Sequence, residues 1–80
     1  MKINKKIAIS ESGFVFDSHS GDSYSINPIA AEILELIKSG KSRDEIKNSL
    51  LEKYNVTVPV LEKSLDEFMD TLKKLNIISK

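Results

Sequence analysis

The junction Ser25-Ile26-Asn27-Pro28 constrains this chain more than any other four residues in it. Upstream, Tyr24 and Ile26 alternate with Ser23 and Ser25, the period of a half-buried strand. Asn27 has a side-chain oxygen that can accept from the free backbone N–H groups at a helix start. Pro28 suits the first helical position, where a missing N–H has no partner to lose. A strand that ends on its own helix cap leaves little freedom at the joint. Residues 21–37 therefore read as a strand passing directly into a helix, with sheet before and helices after.

In the first half, Ile7 and Ile9 alternate with Ala8 and Ser10 and give a first strand. Glu11-Ser12-Gly13 is a tight turn. Phe14-Val15-Phe16-Asp17 is the second strand, with Phe14 and Phe16 on one face and Val15 on the other. The polar loop 18–22 leads into the third strand, residues 22–26. Connections this short require antiparallel pairing, so the three strands form a meander. The second half holds three helices. The first runs from Pro28 to about Lys38, with Ala30, Ile33, Leu34 and Ile37 on one stripe and Gly40 as its left-handed stop. Ser42-Arg43-Asp44-Glu45 has the form of a capping box and opens a second helix to about Tyr54, with Ile46, Leu50 and Tyr54 inward and Asn55 closing it. The third helix starts near Pro59, since a residue before proline is pushed away from helix. Leu61, Leu65, Phe68, Leu72 and Leu75 make its apolar stripe. Asn76 ends it, and Ile77-Ile78 is an apolar tail expected to dock on the core. Strands first and helices after place residues 1–80 as a single α+β domain.

A chain of 80 residues buries only roughly 60–65% of its unfolded surface, close to the lower limit for a self-sufficient core. With no cysteine, neither a disulfide nor a thiolate metal site can supplement it. There is no signal-peptide h-region and no run of membrane-spanning length, so the expectation is a cytoplasmic protein without membrane contact. Twelve basic residues balance twelve acidic ones, unlike a protein that grips phosphates. Lys2, Lys5 and Lys6 are the one basic cluster and read as a solvated, frayed terminus. His19 stands alone on a loop, without the companions of a base or ligand. Asp17 and Asp22 flank it, but hairpin-turn chemistry explains them better than a calcium loop. Asn55-Val56-Thr57 matches a glycosylation sequon that has no meaning in a chain without an export signal. No phosphate loop, nucleophile elbow or zinc-ligand pair is present. The expectation is no enzyme, no metal and no cofactor.

Two binding readings remain. The second and third helices have the order of a helix-turn-helix, and a DNA-binding transcriptional regulator with a winged helix is the alternative they offer. The third helix disfavours it: Lys63, Lys73 and Lys74 stand against Glu62, Asp66, Glu67 and Asp70, and it has no arginine. The other reading uses the open edge of the third strand, which has neither proline nor lysine to block it. An extended peptide can add there as a further strand, and so can a second copy, giving a monomer or a weak homodimer through the edge. Equally, Ser23 and Ser25 can be the plain solvent face of an edge strand. A small interaction subunit unrelated to peptide modification is a third, weaker option.

Several stretches resemble the PqqD family. They are Ser12-Gly13-Phe14-Val15-Phe16-Asp17, Tyr24-Ser25-Ile26-Asn27-Pro28, Ala31-Glu32-Ile33-Leu34-Glu35-Leu36, Gly40-Lys41-Ser42 with Ile46 and Tyr54, and the ending Leu72-x-x-Leu75-Asn76-Ile77-Ile78. The resemblance covers nearly the whole chain in the family's order. It departs where the family usually has glycine before the final apolar pair, and Asn76 stands there. The resemblance implies three strands packed on a winged-helix-like three-helix bundle. It implies a non-catalytic peptide chaperone that binds the leader of a ribosomally made precursor peptide as an added strand, in the groove between the third strand and the third helix. Such proteins present the leader to a modifying enzyme, often a radical SAM enzyme. On this chain, Ser23, Tyr24, Ser25 and Ile26 would pair with the peptide through their backbones. Leu61, Leu65 and Phe68 are the apolar candidates for the helix wall, although each also reads as plain core. Val60, Ser64 and Thr71 form a weakly polar flank, and the sequence leaves open which flank faces the strand.

Overall fold

A computed structural model of the chain describes residues 1–79. Five strands and three helices follow one another as β1 (Lys2–Ile3), β2 (Ile7–Ile9), β3 (Phe14–Asp17), β4 (Ser23–Ser25), α1 (Pro28–Lys38), α2 (Arg43–Lys53), α3 (Val58–Lys74) and β5 (Ile78–Ser79). The expected meander is β2-β3-β4, antiparallel throughout, with β3 in the centre. The third strand of the sequence reading is thus β4. β1 and β5 were not expected. They pair antiparallel in a separate sheet, Lys2 opposite Ser79 and Ile3 opposite Ile78. The N-terminus is therefore not frayed: Asn4 extends the clasp, its backbone N–H donating to the Ile77 carbonyl at 2.9 Å.

Local chemistry sets the helix ends. The Asn27 side chain accepts from the Ala30 N–H at 2.7 Å, with Pro28 in the first turn. Ser42 and Glu45 complete the capping box, Glu45 N–H to Ser42 Oγ at 3.2 Å and Ser42 N–H to Glu45 Oε1 at 3.0 Å. That donation from the Ser42 backbone holds the Glu45 carboxyl below its usual range. After α1, Gly40 takes φ +86°. Gly40 N–H bonds the Ile37 carbonyl and Lys41 N–H the Leu36 carbonyl, the paired closure of a left-handed stop. Asn76 does the same for α3 at φ +58°, with Asn76 N–H on Lys73 and Ile77 N–H on Leu72. Asparagine tolerates this conformation because its short polar side chain bonds locally.

The core lies between the inner face of the sheet and the helices. Ala30, Ile33, Leu34 and Ile37, the stripe read from the sequence, are the buried residues of α1. α2 contributes Ile46 and Leu50, with Tyr54 only half-buried at its end. α3 begins at Val58, one residue before Pro59, and its deepest residues are Leu65, Met69 and Leu72. Leu61, Phe68 and Leu75 lie on an adjacent stripe, part-buried against the core. The helix is thus rotated toward Met69 relative to the all-leucine stripe. Ile77 and Ile78 are buried, as the docked tail required. On β3, Val15 is fully buried while Phe14 and Phe16 face outward. Two ion pairs tie the helices: Lys53 Nζ to Glu32 Oε1 at 2.5 Å between α2 and α1, and Arg43 to Asp66 between α2 and α3. The Glu32 carboxylate holds the Lys53 ammonium above its usual pKa.

Candidate functional site

The strand order leaves β4 on an edge. Its register shows which backbone groups are free. Asp17 N–H donates to the Asp22 carbonyl at 2.9 Å and Ile26 N–H to the Gly13 carbonyl at 2.8 Å. In an antiparallel pair the bonding positions alternate. Residues 22, 24 and 26 therefore turn their main chains toward β3, and Ser23 and Ser25 turn theirs outward. Tyr24 and Ile26 instead pack against the core and hold the strand down. Of the four strand residues singled out by sequence, two carry the open edge and two anchor it.

Beyond the end of β4 lies an apolar cleft of about 220 Å³. Asn27, Ile29, Ala30 and Ile33 supply one wall from the start of α1, Leu61, Ser64, Leu65 and Phe68 the other from α3, and Leu50 of α2 also lines it. β4 pairs with β3, and α3 packs on α2 and β5. Of the helix candidates, Leu61, Ser64, Leu65 and Phe68 come together here, which identifies the flank that lines the cleft. Val60 and Thr71 lie outside it. Val60 is largely exposed, and the Thr71 hydroxyl donates to the Glu67 carbonyl of its own helix at 3.0 Å. The strand residues Ser23 to Ile26 do not line the cleft either; it begins at Asn27.

Sequence reasoning missed the α1 wall. Asn27 read only as a cap, and Ala30, Ile33 and Leu50 as core. The available signal was Ile29, an apolar residue off the α1 stripe that remains 45% exposed.

The titratable groups with shifted pKa are explained by local structure away from the cleft. The Asp17 carboxylate accepts from the backbone N–H groups of His19 and Ser20, at 2.9 and 3.4 Å, which holds it below the usual carboxylate range despite its burial. His19 sits in that turn with Nδ1 3.2 Å from Lys6 Nζ. No group of His, Cys, Asp and Glu suited to a metal ion occurs among the described residues. No helix among them is long and apolar enough to cross a membrane. The arrangement offers a line of main-chain donors and acceptors, and apolar contact beside it.

A model of the family described as coenzyme PQQ synthesis protein D (PqqD) matches residues 13–78. No curated protein matches the sequence. Solved structures of like fold include TbiB1 in complex with the TbiA(beta) leader peptide, with a TM-score of 0.87 at 22% identity, covering 96% of this chain and 93% of that one. Lasso peptide synthetase B1 complexed with the leader peptide also has a TM-score of 0.87, at 21% identity, covering 99% of this chain and 96% of that one. At these identities the likeness is one of fold.

Proposed function

The chain belongs to the PqqD family, and from that premise we propose that it is a non-catalytic carrier of a ribosomally made precursor peptide. The leader segment adds to β4 as a further strand and is presented to a modifying enzyme, radical SAM enzymes being one class that suits the role. The observation that carries this reading is the run of unpaired backbone at Ser23 and Ser25, leading into an apolar cleft walled by α1 and α3. Proteins of like fold have been solved with leader peptides bound, which supports the peptide as occupant. Main-chain pairing supplies sequence-tolerant affinity, and side chains entering the cleft supply selectivity. At about 220 Å³ the cleft suits one or two apolar side chains, below the ~300–1,000 Å³ of sites that enclose a small-molecule substrate. Holding the leader on the carrier raises the effective concentration of the precursor at the enzyme.

An amide NMR titration tests this. One labelled sample receives the leader of the precursor encoded beside the chain's gene, another a generic DNA duplex. The expected result is saturable shifts along residues 22–27 and on the Leu61–Phe68 side of α3 with leader alone. Shifts with DNA alone would sink the proposal in favour of a regulator. Ser25→Pro sharpens the test. Its N–H faces outward, so proline there leaves the β3 pairing intact and removes a donor from the edge. Leader affinity should drop at least tenfold in a folded protein, whereas neutralising Lys63, Lys73 and Lys74 should hardly change it.

A further inference from the structure

The outer face of the sheet carries an aromatic pair that the core does not use. Phe14 and Phe16 are 53% and 45% exposed on the central strand, with buried Val15 between them. The register surrounds them with small side chains. Phe16 lies opposite Ala8 on β2 and Ser23 on β4, and Phe14 lies opposite Ser25. Both rings therefore rise from a low floor. On the side of β4, only two serine side chains stand between the rings and the unpaired backbone of the edge.

We infer that Phe14 and Phe16 are a second row of the peptide site, taking apolar side chains at the two outward positions of an added strand. The inference rests on strand addition at β4. Side chains of residues directly opposite one another across a sheet share a face. The peptide residues paired with Ser23 and Ser25 therefore project on the same face as the rings. Adjacent strands are about 4.8 Å apart, which puts the peptide backbone roughly 10 Å from β3. A serine does not fill that span. A long aliphatic or aromatic side chain leaning from the peptide and a phenylalanine ring leaning from β3 close it together. The occupant follows from continuity: only Ser23 and Ser25 separate the aromatic row from the edge, so a strand held there reaches the rings in a fixed register. The recognised segment then reads apolar on both faces, inward side chains for the cleft and outward ones, two residues apart, for the rings.

A phage-displayed library of random twelve-residue peptides, selected in parallel on the full chain and on a Phe14→Thr/Phe16→Thr variant, tests this. Threonine keeps the strand propensity and removes the rings, and a thermal melt confirms the fold. The wild type should enrich peptides apolar at inward and outward positions alike. The threonine variant should keep the inward preference and lose the outward one, with about a tenfold loss of affinity for a peptide selected on the wild type. A Phe14→Tyr/Phe16→Tyr variant should restore affinity to within about twofold. The same outward preference in both selections would overturn the inference and leave strand addition standing. So would dimerisation of the wild type lost in the threonine variant with peptide preference unchanged, since the rings would then serve a second copy. No enrichment on the wild type, or enrichment untouched by Ser25→Pro, would remove strand addition and the inference with it.

Discussion

Asp17 closes the turn between β3 and β4 with one side chain. Its carboxylate accepts from two successive backbone N–H groups while almost out of solvent, and its pKa falls below 3.8 as a result. A group whose pKa is lowered by folding stabilises the fold above its unfolded pKa. That contribution is lost as pH falls through the folded value. Stability should therefore hold from pH 7 down to about 5 and decline below about 4. Asp17→Asn keeps an acceptor but cannot titrate, so its urea midpoint should decline less on acidification, in paired denaturation series at pH 7, 5 and 3. Gly13 sets the preceding turn by backbone alone. It has φ +91°, and a Cβ would stand 3.1 Å from the Ile26 carbonyl, whereas at Gly21, φ +80°, a Cβ would meet nothing within 4 Å. Both alanine variants carry left-handed strain of about 1–2 kcal/mol. Gly13→Ala also pushes on the strand that leads into α1, so it should lower the thermal midpoint more than Gly21→Ala.

Among the elements, helix ends were largely legible in the sequence because capping is local chemistry, although α2 closes on Tyr54 in extended conformation and not on Asn55. The Ser42–Glu45 box closes as its spacing demands, and Ser42→Ala should cost about 1 kcal/mol by urea denaturation, since it orphans the N–H of Glu45. The α1 stripe was equally readable, because a period of 3.6 with one apolar face leaves one way to turn the helix. The period of a strand says which residues share a face and not which face is inward. Hence Phe14 and Phe16 were correctly grouped, while their exposure came only from the structure. β1 and β5 have two residues each and no period to read; they exist because opposite ends of the chain meet. The cleft was half legible for a similar reason. It forms between α1 and α3, so residues such as Ala30, Ile33 and Leu50, which look like ordinary core from their own helices, become its lining.

At the scale of the molecule, α1 and α3 are the two walls of the cleft and contribute side chains to one core. Each packs on α2, and each also carries one strand of the small second sheet, β1 on α1 and β5 on α3. The β1–β5 pair is therefore a bracket across the two helices that wall the cleft. Ile78 is its apolar pin, 4% exposed and opposite Ile3. Ile78→Ala should cost about 2–4 kcal/mol through the cavity it leaves. That is a large share of the ~4–12 kcal/mol expected for 80 residues at typical stability per residue. The bracket also predicts where the loss is felt. Below the unfolding transition, hydrogen exchange in Ile78→Ala should quicken in α1 and α3 together, while the β3–β4 pair, on the far side of the meander from the Asn4–Ile7 hydrogen bond that joins clasp to β2, keeps more of its protection. Acceleration confined to the last turn of α3 would show instead that α2 alone sets the spacing of the cleft, and that the clasp serves only to cover Ile77 and Ile78.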